Sequence, residues 1–407
     1  MTYYDDLETR SADEREHALR VQLPNQVARA QATTGGMAHL ADVDADTICT
    51  VADLAALPVL RKSVLVAAQE LEPPFGGFAS HELGQYCHIF QSPGPIYEPG
   101  MTSPDWWRLA RFLHASGIGQ GDVVQNCFSY HLTPAGMMFE NAARAVNAAV
   151  LPAGVGQTEL QVQAASRARV SAYAGTPDYL KVILESADAA GIDLSRITRA
   201  AVGGGALFPS LRQYYQDRGI TCRQCYATAD LGNIAYETDA LDGMVIDEGA
   251  IVEIVRPGTG DPVADGEVGE VVVTTLNPDY PLIRFATGDL SAVLPGTSAC
   301  GRTNNRIKGW MGRADQTTKI KGMFVRPEQV ALLVKACDGI EKARVSVSRQ
   351  GEQDEMTVHL EGDASDIGAL QQAVKAHLKL QGNVMVSPVG TLPNDGKVIE
   401  DLREYEN

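Results

Sequence analysis

The chain has 407 residues, of which 44% are hydrophobic, and 51 acidic side chains outnumber 34 basic ones for a formal charge of -17. Such a surface argues against a nucleic-acid partner, because binding a phosphate backbone needs a basic face and no basic run is visible. A substrate that is itself anionic must then meet a local positive site. The length allows two or three cores, since single cores stop growing at roughly 250 to 300 residues. No apolar run approaches the roughly 20 residues of a membrane span, and the first residues, MTYYDDLETRSADEREH, carry no apolar leader core, so a cytoplasmic protein with no membrane partner is expected. Seven scattered cysteines suit a reducing compartment, and the CRQC string at 222–225 reads as ordinary buried thiols because no second pair stands at zinc-like spacing.

In chain order, residues 5–32 place an apolar stripe (Leu7, Leu19, Val21, Leu23, Val27) under charged neighbours, the pattern of a helix that Pro24 is expected to break. The segment HIFQSPGPIYEPG at 88–100 is expected to be a loop in which Ser92, Gly94 and Tyr97 are the nearby hydrogen-bond donors, since Pro93 and Pro95 have no N–H. Residues 105–136 read as an amphipathic helix that Asp105 could cap, a glycine turn, and a strand opening into a polar-aromatic loop. From there to about 230, helical patterns alternate with short β-rich runs ending in Gly or Pro. That alternation predicts βαβ units and a largely parallel sheet whose ligand loops gather at the carboxyl ends of the strands: 174–177, 203–206 and 226–230. Residues 244–282 carry the Val/Ile alternation of antiparallel hairpins. The stretch 283–329 then puts Thr287, Gly288 and Asp289 on a tight turn, where the carboxylate could accept two hydrogen bonds from a vicinal diol such as a ribose. A polar break follows at Gly312–Asp315, where a domain linker is expected.

The strings FATGDL and GRADQTTKIKGMFVRPEQV resemble the ribose-binding and hinge motifs of the adenylate-forming enzymes, and within that superfamily the phenylacetate-CoA ligases. The resemblance implies an α/β fold: a large N-terminal domain, residues 1–313, with mostly parallel sheets and a β-rich subdomain, and a small mobile α+β lid, residues 314–407, hinged near Asp315. It implies an AMP-forming acid-thiol ligase that joins an aryl or arylacetic acid to CoA through an acyl-adenylate, using ATP, Mg2+ and CoA. It also allows a homodimer.

By the same resemblance GGGA at 203–206 is the adenine loop, with Gly204 and Gly205 approaching the base. In CYATAD, Tyr226 is the tyrosine that packs on adenine, Ala227, Thr228 and Ala229 line the site, and Asp230 stands where a glutamate that meets the metal is usual. Arg313 joins Asp289 on the ribose, and Tyr130, His131 and Gly136 border the acyl pocket. Asp315, Lys319, Lys321 and Gly322 form the hinge and the CoA-facing ribbon, and Lys397 is the catalytic lysine. Two departures stand out. The segment at 91–97 lacks the Lys and the Ser/Thr-rich loop that the family wraps around the phosphates, and Gly205 stands where an acid is usual. They keep open two alternatives, a nucleotide- or acyl-binding homologue without adenylation, and an adenylating enzyme with an acceptor other than CoA.

Overall fold

The computed structural model describes residues 3–256, 260–314, 318–320, 323–325, 327–350, 353–364, 366–392 and 398–403. They divide into two compact units, Met1–Met311 and Gly312–Asn407.

The first unit is built on a nine-stranded mixed sheet. Five of its strands are parallel, in the spatial order Ala149–Pro152, Val123–Asn126, Ala172–Gly175, Arg199–Val202 and Thr221–Thr228. Helices Ala135–Ala145, Thr158–Arg167, Pro177–Ala190 and Pro209–Asp217 follow successive strands of this set, the crossovers that parallel strands require. Strands Gly232–Glu237, Met244–Ile246, Arg306–Ile307 and Val293–Leu294 continue the sheet antiparallel. The central strands read Ala-Tyr-Ala-Gly and Arg-Ala-Ala-Val, with small residues that let helices close on both faces, and Tyr173 and Val202 are fully buried.

A second sheet pairs Leu60–Arg61, Phe285–Ser291, Gly269–Thr275 and Ala250–Val255. It holds the Val271, Val273 and Phe285 core, into which Tyr226 and Ile234 also pack. One buried charge fixes its edge. Arg284, 1% exposed, bonds Glu253 and the carbonyls of Leu57 and Gly260, while Leu60 N–H donates to the Arg284 carbonyl. Arg284→Met is expected to destabilise this unit by about 3–5 kcal/mol in a urea titration, because Glu253 would be left buried without its counter-charge.

Two local expectations change. The first long helix, Ala12–Gln31, runs through Pro24 without a break, anchored by a Ser11–Glu14 capping box and by Leu23 and Val27, which are fully buried. Tertiary packing and the cap outweigh the lost N–H at one position. The expected helix after Asp105 is only Ala110–Ala115, and Asp105, at φ 52°, accepts from Ala110 N–H at 2.8 Å. Burial, followed by the Asp247 charge, pushes the Asp105 carboxyl up to about 7 against the pull of its hydrogen bond and of Arg108 and Arg111. Folded Asp105 therefore keeps its proton where the unfolded residue has lost it, and stability falls as pH rises from about 4 to 7. Asp105→Asn keeps the acceptor and tolerates the positive φ. It should raise urea stability at pH 8 by on the order of 1–2 kcal/mol, discounted for partial exposure, and change it little at pH 4.

The second unit has a hairpin of Thr318–Ile320 with Met323–Val325 and a four-stranded sheet ordered Asn383–Ser387, Gln353–Gly362, Ile340–Gln350 and Ile399–Asp401. Helices Pro327–Ala336 and Ile367–Leu378 contribute Leu333, Leu370 and Val374 to a core with Val345, Val358 and Leu360. No helix among the described residues is long and apolar enough to cross a membrane.

Candidate active site

Thr287, Gly288 and Asp289 lie within strand Phe285–Ser291 rather than on a turn. The ladder to Gly269–Thr275 shifts register between Glu270 and Val272, and Gly288 takes φ +75° opposite that irregularity. The Thr287 hydroxyl donates to the Val271 carbonyl at 3.0 Å and accepts from Asp289 N–H at 3.1 Å. A side chain thus stands in for ladder bonds, and the bulge re-aims the next carboxylate.

Asp289 is met by two groups from elsewhere in the unit. Tyr226 Oη donates to Oδ2 at 2.8 Å and Trp310 Nε1 donates to Oδ1 at 3.1 Å. These two bonds orient the carboxylate. Tyr226 comes from the last parallel strand, where a register shift between Tyr226 and Ala227 turns the chain toward Asp230. Its ring is buried, Ala227 and Thr228 are half-buried beside it, and the Thr228 hydroxyl accepts from Leu231 N–H at 3.2 Å. Trp310, 46% exposed, was not singled out from the sequence, although it sits between the two motifs there.

A second constellation adjoins this one through Lys62. Lys62 opens helix Lys62–Leu71 directly after Leu60–Arg61, which pairs with Phe285 and Ala286. Its ammonium lies 5.8 Å from the Phe285 ring centroid and 3.2 Å from Asp230 Oδ2. The segment 88–100 is a tight antiparallel hairpin, His88–Ser92 with Ile96–Gly100, clamped to the same helix by Gln69. The Gln69 amide donates to the Tyr97 carbonyl at 2.8 Å and accepts from Tyr97 N–H at 2.9 Å. The next residue, Glu98, points inward at 1% exposure and accepts from the Ser92 hydroxyl. Burial, then the Asp230 charge, push its carboxyl up to about 8, while Ser92 and Lys62 pull the other way. Glu98 Oε2, Asp230 Oδ1 and the Tyr280 hydroxyl are buried with no hydrogen-bond partner among the described residues. Two hard, unpaired carboxylate oxygens suit an oxygen-loving cation such as Mg2+, so the residues present fit that group. Sequence reading missed Glu98 because it searched this segment for donors.

The remaining expected residues are dispersed. Gly204 and Gly205 are exposed after strand Arg199–Val202. A Cβ on Gly204, which has φ +69°, would lie 3.8 Å from Phe128, and one on Gly205 would lie 3.4 Å from Pro177. Gly136 is a packing glycine: a Cβ there would come within 2.8 Å of the Tyr130 ring. Tyr130 Oη accepts from Asn126 Nδ2 at 2.8 Å, and burial raises its phenol well above the ordinary range. His131 is exposed, its N–H on the Ser129 hydroxyl. Arg313 is exposed and belongs to the second unit. Lys319 lies on strand Thr318–Ile320, and Asp315, Lys321, Gly322 and Lys397 lie outside the described residues. Cys222 and Cys225 are buried free thiols; burial pushes Cys222 up to about 12 and raises Cys225 as well.

No family model matches the chain. The phenylacetate-coenzyme A ligase of Escherichia coli (strain K12) is 30% identical over 388 residues, covering 86% of this chain and 87% of that protein. That of Aromatoleum evansii is 31% identical over 338 residues, covering 78% and 74%. Among solved structures, a 2-hydroxyisobutyryl-CoA ligase in complex with 2-HIB-AMP and CoA matches with a TM-score of 0.74 at 21% identity, over 98% of this chain and 92% of that one. At that identity the match shows the fold.

Proposed function

Because the chain belongs to the phenylacetate-coenzyme A ligase family, we propose that it is an AMP-forming acid-thiol ligase that joins an aryl or arylacetic acid to CoA. The observation that carries this reading is the Tyr226–Asp289 hydrogen bond, which brings an aromatic ring and a diol-accepting carboxylate from two distant motifs onto one spot.

In the first half-reaction, a substrate carboxylate oxygen forms a bond to the α-phosphorus of ATP as the bond to the bridging oxygen breaks, and pyrophosphate leaves with those electrons. In the second, the CoA thiolate, having given up its proton, forms a bond to the acyl carbon as the acyl–phosphate oxygen bond breaks and AMP leaves. Asp289 holds the ribose hydroxyls with Arg313, and the Tyr226 face packs on adenine beside the exposed backbone of Gly204 and Gly205. Ala227 and Thr228 line the nucleotide, and Tyr130, His131 and Gly136 border the acid. Lys397 supplies positive charge as the α-phosphorus becomes crowded. The 314–407 domain turns near Asp315 to exchange Lys397 for the Lys319, Lys321 and Gly322 ribbon along the CoA path. Mg2+, held by Asp230, supplies neutralisation of the phosphate oxygens when bound.

The test is mass spectrometry of the products formed from ATP, CoA and a panel of aromatic and aliphatic acids. Expected is a thioester with equimolar AMP for an arylacetic or aryl acid. AMP release that ignores CoA would favour a different acyl acceptor. ATP binding with no product from any acid would favour a binding homologue, the reading for which the proline-bearing hairpin at 91–97 speaks.

A further inference from the structure

We propose that Glu98 and Asp230 together hold one divalent cation, so that the strand Ile96–Gly100 contributes a metal ligand where the resembled family carries a lysine-bearing phosphate loop. The inference rests on the ligase reading only for the triphosphate that such a cation would meet. The pair of ligands is argued separately, from burial, unpartnered oxygens and the shared core around them.

Charge comes first. Glu98 is 1% exposed and Asp230 is 8% exposed, and carboxylates so buried demand compensation. Among the described residues Asp230 has one ion-pair partner, Lys62, and Glu98 has none. One ammonium therefore stands beside two acids, and both carboxylates can be charged together only when a second cation joins Lys62.

Unused acceptors come next. Among the described residues, one oxygen of each carboxylate lacks a hydrogen-bond partner, and the Tyr280 hydroxyl, on a residue 2% exposed, is likewise unpartnered. Tyr280 itself, Ile96 on the strand that carries Glu98, and Leu231 next to Asp230 pack in one core cluster, which brings the three segments together. Three buried oxygens on three segments of one core, unpartnered among the described residues, are unusual in a packed interior, where such atoms nearly always find partners.

The scaffold is rigid, as a ligand set requires. Gln69 grips both backbone groups of Tyr97, Ser92 holds the other oxygen of Glu98, and Asp230 sits on the short turn between Thr221–Thr228 and Gly232–Glu237. The donor set selects the ion. It is oxygen-only, without thiolate or imidazole, and no group of three or more His, Cys, Asp or Glu that could hold a metal occurs among the described residues. Two carboxylates with the remaining positions left to water and phosphate oxygens match Mg2+ or Mn2+ rather than zinc.

The test is an Mn2+ titration of the full-length protein followed by the loss of free-ion electron paramagnetic resonance, without nucleotide and then with ATP. One Mn2+ per chain is expected. Glu98→Gln and Asp230→Asn should each weaken it at least 10-fold, and Lys62→Met should tighten it several-fold by removing the competing ammonium. Glu98→Gln preserves shape and removes a buried charge, so its thermal midpoint should match or exceed that of the natural protein, which separates lost binding from lost folding. Mn2+ bound equally by the natural protein and Glu98→Gln, or bound by neither, would overturn the proposal. The two readings fail separately: a Glu98-dependent Mn2+ site with no product from any acid removes the ligase reading alone, whereas thioester formation with Mn2+ affinity indifferent to Glu98 removes the cation site alone.

Discussion

Replacing Asp289 by Asn is expected to weaken ATP binding by about 10- to 100-fold in isothermal titration. Hydrogen bonds to an ionised acceptor are worth about 1.5–3 kcal/mol, and the carboxylate is the group proposed to take both ribose hydroxyls. Asn keeps the volume and one acceptor oxygen, so Trp310 Nε1 or Tyr226 Oη retains a partner and the bulged strand keeps its Thr287 bonds. Asp289→Ala would be a poorer probe, because it removes the Tyr226 and Trp310 bonds along with the ligand contact. A ribose-free control separates the two effects: tripolyphosphate should bind the natural protein and the Asn variant alike. Equal ATP affinities for the two proteins would place the nucleotide elsewhere.

The second large effect concerns a residue outside the described part of the second unit. Lys397→Ala is expected to lower acid-dependent adenylation by about 10²- to 10³-fold while ATP affinity changes little. A charge that arrives only as phosphorus becomes crowded acts on the transition state more than on the bound substrate. Thioester formation from a chemically prepared acyl-adenylate should be nearly untouched, because the proposal assigns that half-reaction to a different set of second-domain residues. Single-turnover assays of the two half-reactions read this split. A variant slowed equally in both would make Lys397 a structural residue of its domain.

These expectations show which parts of the molecule can be read along one dimension. The βαβ alternation between 123 and 228 was legible because period and punctuation agree there: short Ala- and Val-rich runs, each ended by Gly or Pro and followed by an amphipathic helix. The antiparallel region at 244–282 was legible for the same reason. Pro24 misled because a local rule about a missing N–H competes with a capping box and a buried stripe that extend over the whole helix. The turn expected at Thr287–Asp289 is a bulged strand because these three residues stand opposite Val271 alone, two more than the partner strand supplies, and a register shift is invisible in either strand alone.

In the site, motif spelling pointed to Tyr226 and Asp289 separately, yet they are 63 residues apart and only the structure shows one bonded to the other. Trp310 belongs to neither motif spelling, although an indole between two motifs is a visible signal. Glu98 was hidden for a chemical reason. A segment read as a damaged phosphate grip was searched for N–H, hydroxyl and ammonium groups, whereas what it contributes is a buried acceptor whose meaning depends on Asp230, more than 100 positions away.

The measurement that bears most directly on the whole account is exchange of labelled pyrophosphate into ATP by the full-length protein, with and without an arylacetic acid. Reversible formation of an acyl-adenylate predicts exchange that requires the acid, persists without CoA, and is lost in Asp289→Asn at limiting ATP. Exchange absent with every acid while ATP binds at Asp289 would contradict it and leave a nucleotide-binding protein on a ligase fold.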